Sequence, residues 1–281
     1  MTLDRDSLIC AHMTLGGVEG TATLEDRAAA AAAAGFEHLG WLSAGYVAER
    51  KAGRSDADIR AILGHYGVDV PEIEFLYGWA TDGEPGFDWQ EMEQDLFAMA
   101  DLLGADHINC GDIGMTGPML PLDVVTERFA GICDRAAEHG VRMAVEFLPW
   151  SEIRDAATAW QIVRDAGRPN AGLDVDSWHH FRGANDLNQL LAIPPERVIV
   201  VQLDDAGPPT DDFWADTMQR RLPGQGVFDL VGFIRALDDH GVDAPVSVEV
   251  FSDEFNALDP KDSAQRAHDT AVTVLAEARA R

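Results

Sequence analysis

Residues 107–147 read HINCGDIGMTGPMLPLDVVTERFAGICDRAAEHGVRMAVEF. His107–Cys110 and Arg142–Phe147 are short apolar runs of strand length, and Asp123–His139 between them carries apolar residues at helical spacing. Gly140 stands where the helical pattern stops, at a position where a left-handed residue is cheapest, and Val141 leads into the next strand. The stretch is one complete strand-loop-helix-loop unit followed by the next strand.

The same unit recurs outward in both directions, with strand starts spaced by roughly 30 residues. The further strands expected are Leu8–His12, His38–Leu42, Val70–Leu76, Gly172–Asp176, Val198–Leu203 and Val246–Phe251. The further helices are Thr23–Ala34, Ser55–His65, Trp89–Leu103, Ile153–Ala166, a short Asp186–Leu191, Leu230–His240 and Lys261–Ala280. Gly35, Gly67, Gly104 and Gly241 close helices as Gly140 does, and Gly-Val returns at Gly67-Val68 and Gly241-Val242 as a weak internal repeat. Eight strands alternate with eight helices, and no linker interrupts them. This predicts an α/β fold, a closed (β/α)8 TIM barrel forming one domain over residues 1–281. An open doubly wound sheet would carry a GxGxxG fingerprint after its first strand, where this chain has Thr14-Leu15-Gly16-Gly17.

Asp and Glu number 49 against 21 Lys and Arg, a formal charge of −28 that argues against nucleic acid as a partner. Solubility is the plain reading of that acidity. Cys10, Cys110 and Cys133 are odd in number and form no CxxC, as expected of buried free thiols in a reducing compartment. MTLDRDSLICAHMTL lacks the pattern of a secretory signal, and no apolar run reaches membrane-spanning length, so a cytoplasmic protein without a membrane partner is expected.

In a barrel of this kind the chemistry lies at the C-terminal ends of the strands. There the fifth to eighth strands deliver Glu146, Asp176, Gln202 and Glu249 toward one spot. A carboxylate alone in an apolar strand costs several kcal/mol if left ionised and unpaired, and three at one depth also repel one another. The plain alternative is that each acid pairs with a buried Arg, but the flanking sequences offer little cation apart from Arg142 and Arg182, and a divalent ion resolves the repulsion with a single partner. Oxygen ligands without thiolate favour Mn²⁺ or Mg²⁺ over a structural Zn²⁺.

The run Asp176-Ser177-Trp178-His179, with Glu146 before it and Glu249 after it, resembles the xylose-isomerase-like sugar isomerases and epimerases. So does Arg220-Arg221-Leu222-Pro223-Gly224-Gln225-Gly226, which is similar to that superfamily's Arg-x-x-Pro-Gly-x-Gly element. The resemblance implies one metal ion held by Glu146, Asp176, Gln202 and Glu249, with His179 and Arg220 touching substrate oxygens. The substrate it implies is a small polyhydroxylated carbonyl compound. A base, Glu146 or Glu249, takes the proton next to the carbonyl that the metal holds, and its return gives an epimer or an isomer. If the enolate instead expels a β-hydroxyl with His179 as acid, the outcome is dehydration of the inosose or 3-dehydroshikimate type.

Epimerases of the group commonly have His where this chain has Gln202, and many members have Lys at Asp204. Val201-Gln202-Leu203-Asp204-Asp205-Ala206 looks more like the dehydratase branch. The insert Gly207–Gln219, with Asp211, Asp212, Phe213 and Trp214, is either a lid or an ordinary surface loop. A nuclease of the apurinic type would need further His ligands and a basic groove. A non-catalytic carbohydrate-binding barrel would not need Glu146 and Glu249 to converge.

Asp174 shares the face of Asp176 by strand alternation, either orienting a ligand or paired with a cation in the barrel floor. His12 ends the first strand and joins Trp178 as a candidate substrate contact, with simple hydrogen bonding in place as the alternative. His180 should face away from His179, and His107 starts its strand and belongs to the opposite end. Trp41, Phe75, Trp79 and Trp150 either wall the pocket or simply pack. Oligomeric state is left open, a homo-oligomer included.

Overall fold

A computed structural model describes residues 3–17, 22–83 and 87–280; Met1, Thr2 and Arg281 of the expected domain lie outside the described residues. The strands are β1 Leu8–Cys10, β2 His38–Leu42, β3 Asp69–Leu76, β4 His107–Gly111, β5 Arg142–Glu146, β6 Ala171–Asp176, β7 Val198–Leu203 and β8 Val246–Val248. They pair in parallel in chain order, and β8 closes the barrel on β1. The helices are α1 Leu24–Ala34, α2 Ser43–Lys51, α3 Asp56–Tyr66, α4 Trp89–Leu103, α5 Leu122–Glu138, α6 Ala156–Ala166, α7 Ser177–Arg182, α8 Leu187–Leu191, α9 Phe213–Thr217, α10 Leu230–His240, α11 Asp253–Asn256 and α12 Pro260–Arg279. No helix among the described residues is long and apolar enough to cross a membrane.

All eight expected strands form. β1 and β8 are shorter than the sequence suggests, so His12 sits in a 3₁₀ turn and Glu249 just past its strand. Helix α2 is unannounced because its N-cap is Leu42, which has no side-chain acceptor. Helix α6 begins at Ala156 rather than Ile153 because Asp155 caps it, accepting from the backbone N–H of Thr158.

Part of the acidity has a structural task. Asp88, Asp155, Asp176, Asp186, Asp212, Asp229 and Asp259 are N-caps, and Asp26 and Asp58 complete capping boxes with Thr23 and Ser55. Each such cap contributes about 1 kcal/mol.

Strand alternation sorts the core into two parts. Leu173 and Val175 join the apolar layer under the helices, while Asp174 and Asp176 lie on the other face of β6. Glu72, Glu74, Asn109, Gln202 and Ser247 are likewise buried and bonded to one another across the barrel, so its interior is polar. His107, the first residue of β4, lies between Asp106 and Glu72. The three cysteines are buried and free.

Candidate active site

Neighbouring strands place the expected residues by register. Asp176 pairs with Gln202, and Glu146 pairs with Asp174 on one side and Gly111 on the other. Gly111 has to be small, since a Cβ there would stand 2.9 Å from the carbonyl oxygen of Glu146 and 3.0 Å from the ring of Phe75. Beyond β8, the backbone N–H of Glu249 donates to Leu203 (3.2 Å), which ties it to β7.

Asp176 ends β6 and also caps α7, accepting at Oδ1 from the N–H of His179 (3.0 Å). That single turn brings the imidazole back over the strand ends. His179 Nε2 lies 2.9 Å from Glu146 Oε1 and 3.8 Å from Asp176 Oδ2. Glu146, Asp176 and His179 each offer a ligand atom within 4.8 Å of the others, and all three are buried.

The cation in this centre is not one of those that sequence proximity suggested. Arg142 pairs with Asp106 at the strand starts, and Arg182 with Asp216 (2.5 Å). Arg220 takes the place, with Nη1 2.8 Å from Asp176 Oδ2, 2.7 Å from Asp204 Oδ2 and 3.3 Å from Glu249 Oε2. Its Nε and Nη2 donate to Thr217 Oγ1, and its plane lies against the rings of Trp178 (5.2 Å) and Phe251 (4.6 Å). The surrounding motif is anchored by Asp205, whose carboxylate accepts from the N–H groups of Gly226 and Phe228. Arg220 N–H donates to Phe251 (2.8 Å), so the loop is pinned to the strand-8 side as well.

Burial dominates the electrostatics. It pushes the Glu249 carboxyl well above its ordinary range, with Glu74 adding to the effect. Burial, then Glu72 and Glu146, does the same to Glu74. Burial and Asp176 raise Asp204, against the pull of Arg220. Asp176 goes the other way: burial opposes its ionisation, but Arg220 and His179 hold it below the ordinary range. Asp174 is raised by burial and then by Glu146, and neither of its oxygens has a hydrogen-bond partner among the described residues.

A cavity of about 360 Å³ opens above these groups. Glu74, Glu146, His179, Arg220 and Glu249 form its polar part, and Phe75, Tyr77, Met92, Ile113, Leu148, Trp150, Trp214 and Phe251 give it apolar walls. The insert therefore does reach the site: α9 supplies Trp214, itself 59% exposed, and Thr217, while Asp211 and Asp212 stay on the surface. Trp178 lies behind the cavity, fully buried against Arg220, His179 and Trp150. His12 lines a separate cavity of about 310 Å³ with Arg27, Trp41, Glu49 and Arg54, because the early end of β1 turns it away. Trp79 packs on Phe129, and His180 packs on Phe181 and Phe233.

Three members of the centre escaped sequence reading: Glu74, Asn109 and the pairing role of Asp204. Gln202 Nε2 donates to Glu74 Oε1 (3.1 Å), and Asn109 Nδ2 to the same oxygen (3.4 Å). The signal was there in Glu72-Ile73-Glu74, two acids at period two inside an apolar strand, the pattern that marks Asp174 and Asp176.

The residues fit a divalent ion. Glu146 and Asp176 offer carboxylate oxygens that group with the His179 imidazole, Glu249 lies outside that group and pairs with Arg220, and Gln202 Oε1 is a buried acceptor without a donor among the described residues. Hard oxygen donors of this kind suit Mn²⁺ or Mg²⁺, and the imidazole of His179 extends the set toward ions that also favour nitrogen.

Known proteins share this architecture. Residues 26–273 match the family model described as a xylose isomerase-like TIM barrel. The 3-dehydroshikimate dehydratase of Pseudomonas aeruginosa is 33% identical over 171 residues, 60% of this chain and 25% of the dehydratase. The inosose isomerase of Bacillus subtilis is 31% identical over 161 residues, 56% of this chain and 55% of the isomerase. The matched regions thus span about half of that isomerase and a quarter of that dehydratase. Among solved structures, the IOLI protein with a bound zinc atom superposes with a TM-score of 0.86 at 20% identity, over 98% of this chain and all of that one. With the closed eight-stranded barrel and a family match over most of its length, the chain belongs to the xylose isomerase-like TIM barrel family.

Proposed function

We propose that this chain is a single-barrel, divalent-metal-dependent isomerase or epimerase that moves a proton next to the carbonyl of a small polyhydroxylated substrate. The observation that carries the reading is that Glu146 and Glu249 both face the cavity, from strands that flank Asp176 and Gln202. Glu146, Asp176, Gln202 and Glu249 would hold the ion, Mn²⁺ or Mg²⁺. When bound, such an ion supplies positive charge that stabilises negative charge developing on a carbonyl oxygen.

The chain's own groups do the rest. Glu146 or Glu249 takes the proton from the carbon beside the carbonyl; return to the opposite face gives an epimer, and return to the neighbouring carbon an isomer. His179, 2.9 Å from Glu146, fixes the orientation of that carboxylate. The aromatic and aliphatic walls keep bulk water from the enolised substrate. A second reading, dehydration with His179 as acid toward a β-hydroxyl, is favoured by the identity to the dehydratase and, on the resemblance drawn above, by Gln202 at a position where epimerases of the group commonly have His. The test is deuterium uptake from solvent at carbon, over ketoses, inososes and 3-dehydroshikimate. Exchange into substrate or isomer supports the first reading, and loss of water the second. Turnover without C–H cleavage sinks both.

A further inference from the structure

We infer that the cavity selects a neutral substrate, a polyhydroxy carbonyl compound of monosaccharide size that carries neither phosphate nor carboxylate. The inference rests on the reading that this cavity is the active site. Among the described residues lining it, Arg220 is the one Lys or Arg, against Glu74, Glu146 and Glu249. Segments 18–21 and 84–86 contain no Lys or Arg either.

Arg220 has little left to give an anion. Its Nη1 serves Asp176, Asp204 and Glu249, and its Nε and Nη2 serve Thr217. Arg220 is already paired with Asp176, Asp204 and Glu249, and Glu74 and Glu146 add further carboxyl groups to the lining, so an anionic substrate meets no unpaired Lys or Arg among the described residues that line the cavity.

The usual alternative for phosphate is closed as well. Barrels of this architecture often bind phosphate at the loops after the seventh and eighth strands, on the N-terminus of a short extra helix. Here those helices are α9, capped by Asp212, and α11, capped by Ser252 and opening with Asp253 and Glu254. Both N-termini are capped by the chain itself, α9 by the carboxylate of Asp212 and α11 by the hydroxyl of Ser252, with two acids in the first turn of α11. Phe75, Trp150, Trp214 and Phe251 offer ring faces for C–H surfaces, and about 360 Å³ is near the small end for ligand cavities.

The test pairs neutral and anionic ligands on the Mn²⁺-loaded protein: a ketohexose with its 6-phosphate, and an inosose with 3-dehydroshikimate. Calorimetry gives affinities, and deuterium exchange at carbon gives chemistry. The expected result is that the neutral member of a pair binds roughly tenfold or more tightly than its anionic partner, and that lowering the salt weakens the anion further. Equal or tighter binding of the anion, or stronger anion binding at low salt, overturns the inference. Tight neutral binding with no exchange upholds it and removes the proton-transfer reading. Exchange with only the anionic members does the reverse.

Discussion

Gln202 Nε2 donates to Glu74 Oε1 over 3.1 Å, joining β7 to β3 through the interior of the barrel. The bond commits the amide nitrogen and leaves Gln202 Oε1 as the free acceptor beside Asp176 in the register of the sheet. Glu74 is thus placed to hold a ligand's orientation. Glu74→Gln keeps the shape but lets either amide turn over. We predict a loss of about 10–100-fold in Mn²⁺ affinity, the usual scale for groups that orient metal ligands. Chelator competition measures it, and an unchanged affinity would sink the idea.

Removing the ion should remove activity. Dialysis against a chelator should abolish turnover, with Mn²⁺ or Mg²⁺ restoring it, and the Glu146→Gln, Glu249→Gln double variant should fail to retain a stoichiometric ion by elemental analysis. Full loading of the double variant would count against the proposed ligands. Restoration by Zn²⁺ alone would change the metal and keep the site.

Singly, Glu146→Gln and Glu249→Gln should differ from a plain loss of metal. At saturating Mn²⁺ the glutamate that acts as base should still cost on the order of 10²–10⁴-fold in kcat. If full occupancy restores full kcat to both variants, neither glutamate moves the proton.

Arg220→Met retains an aliphatic stem between Trp178 and Phe251 but strands Asp176, Asp204 and Glu249 without their cation. Breaking a buried charge pair by removing one partner costs about 3–5 kcal/mol. Chemical denaturation of the metal-free protein should show that loss, and added Mn²⁺ should narrow it, since a ligand bound only to the folded state stabilises it. Wild-type stability in the metal-free variant would refute the pairing.

At the strand starts the pH dependence has a different owner. Burial opposes ionisation of Asp106, but hydrogen bonds from His107 and Arg142 hold its pKa at about 2, against an ordinary 3.8. A depressed folded pKa means stability that is present above about pH 4 and lost as pH falls toward 2, worth about 2 kcal/mol in all. His107 is shifted the opposite way: burial would lower it, but Asp106 and Glu72 raise it above 6.5. Its contribution is therefore full below pH 6.5 and lost as pH rises through the folded value. Urea unfolding of Asp106→Asn should differ most from wild type between about pH 4 and 6.5, converging near pH 2. A gap that does not depend on pH would refute this.

The alternation of strands and helices is local information, carried by periodicity and punctuating glycines, and residues 107–147 already contained the repeating unit. So did the outward strand ends: Glu146, Asp176 and Gln202 stand at register positions that period two fixes once the strands are known. The limits of β1 and β8 were not local, because a strand ends where its neighbours stop pairing, and that moved His12 into another cavity. The partners of the buried acids were settled only by the fold. Arg220 reaches Asp176 across 44 positions and Gln202 reaches Glu74 across 128, and no local pattern encodes which side chains meet inside a closed barrel. Sequence determined the barrel and the residues at its strand ends. Tertiary structure decided which charges neutralise one another, because that depends on distances between segments whose own propensities say nothing of each other.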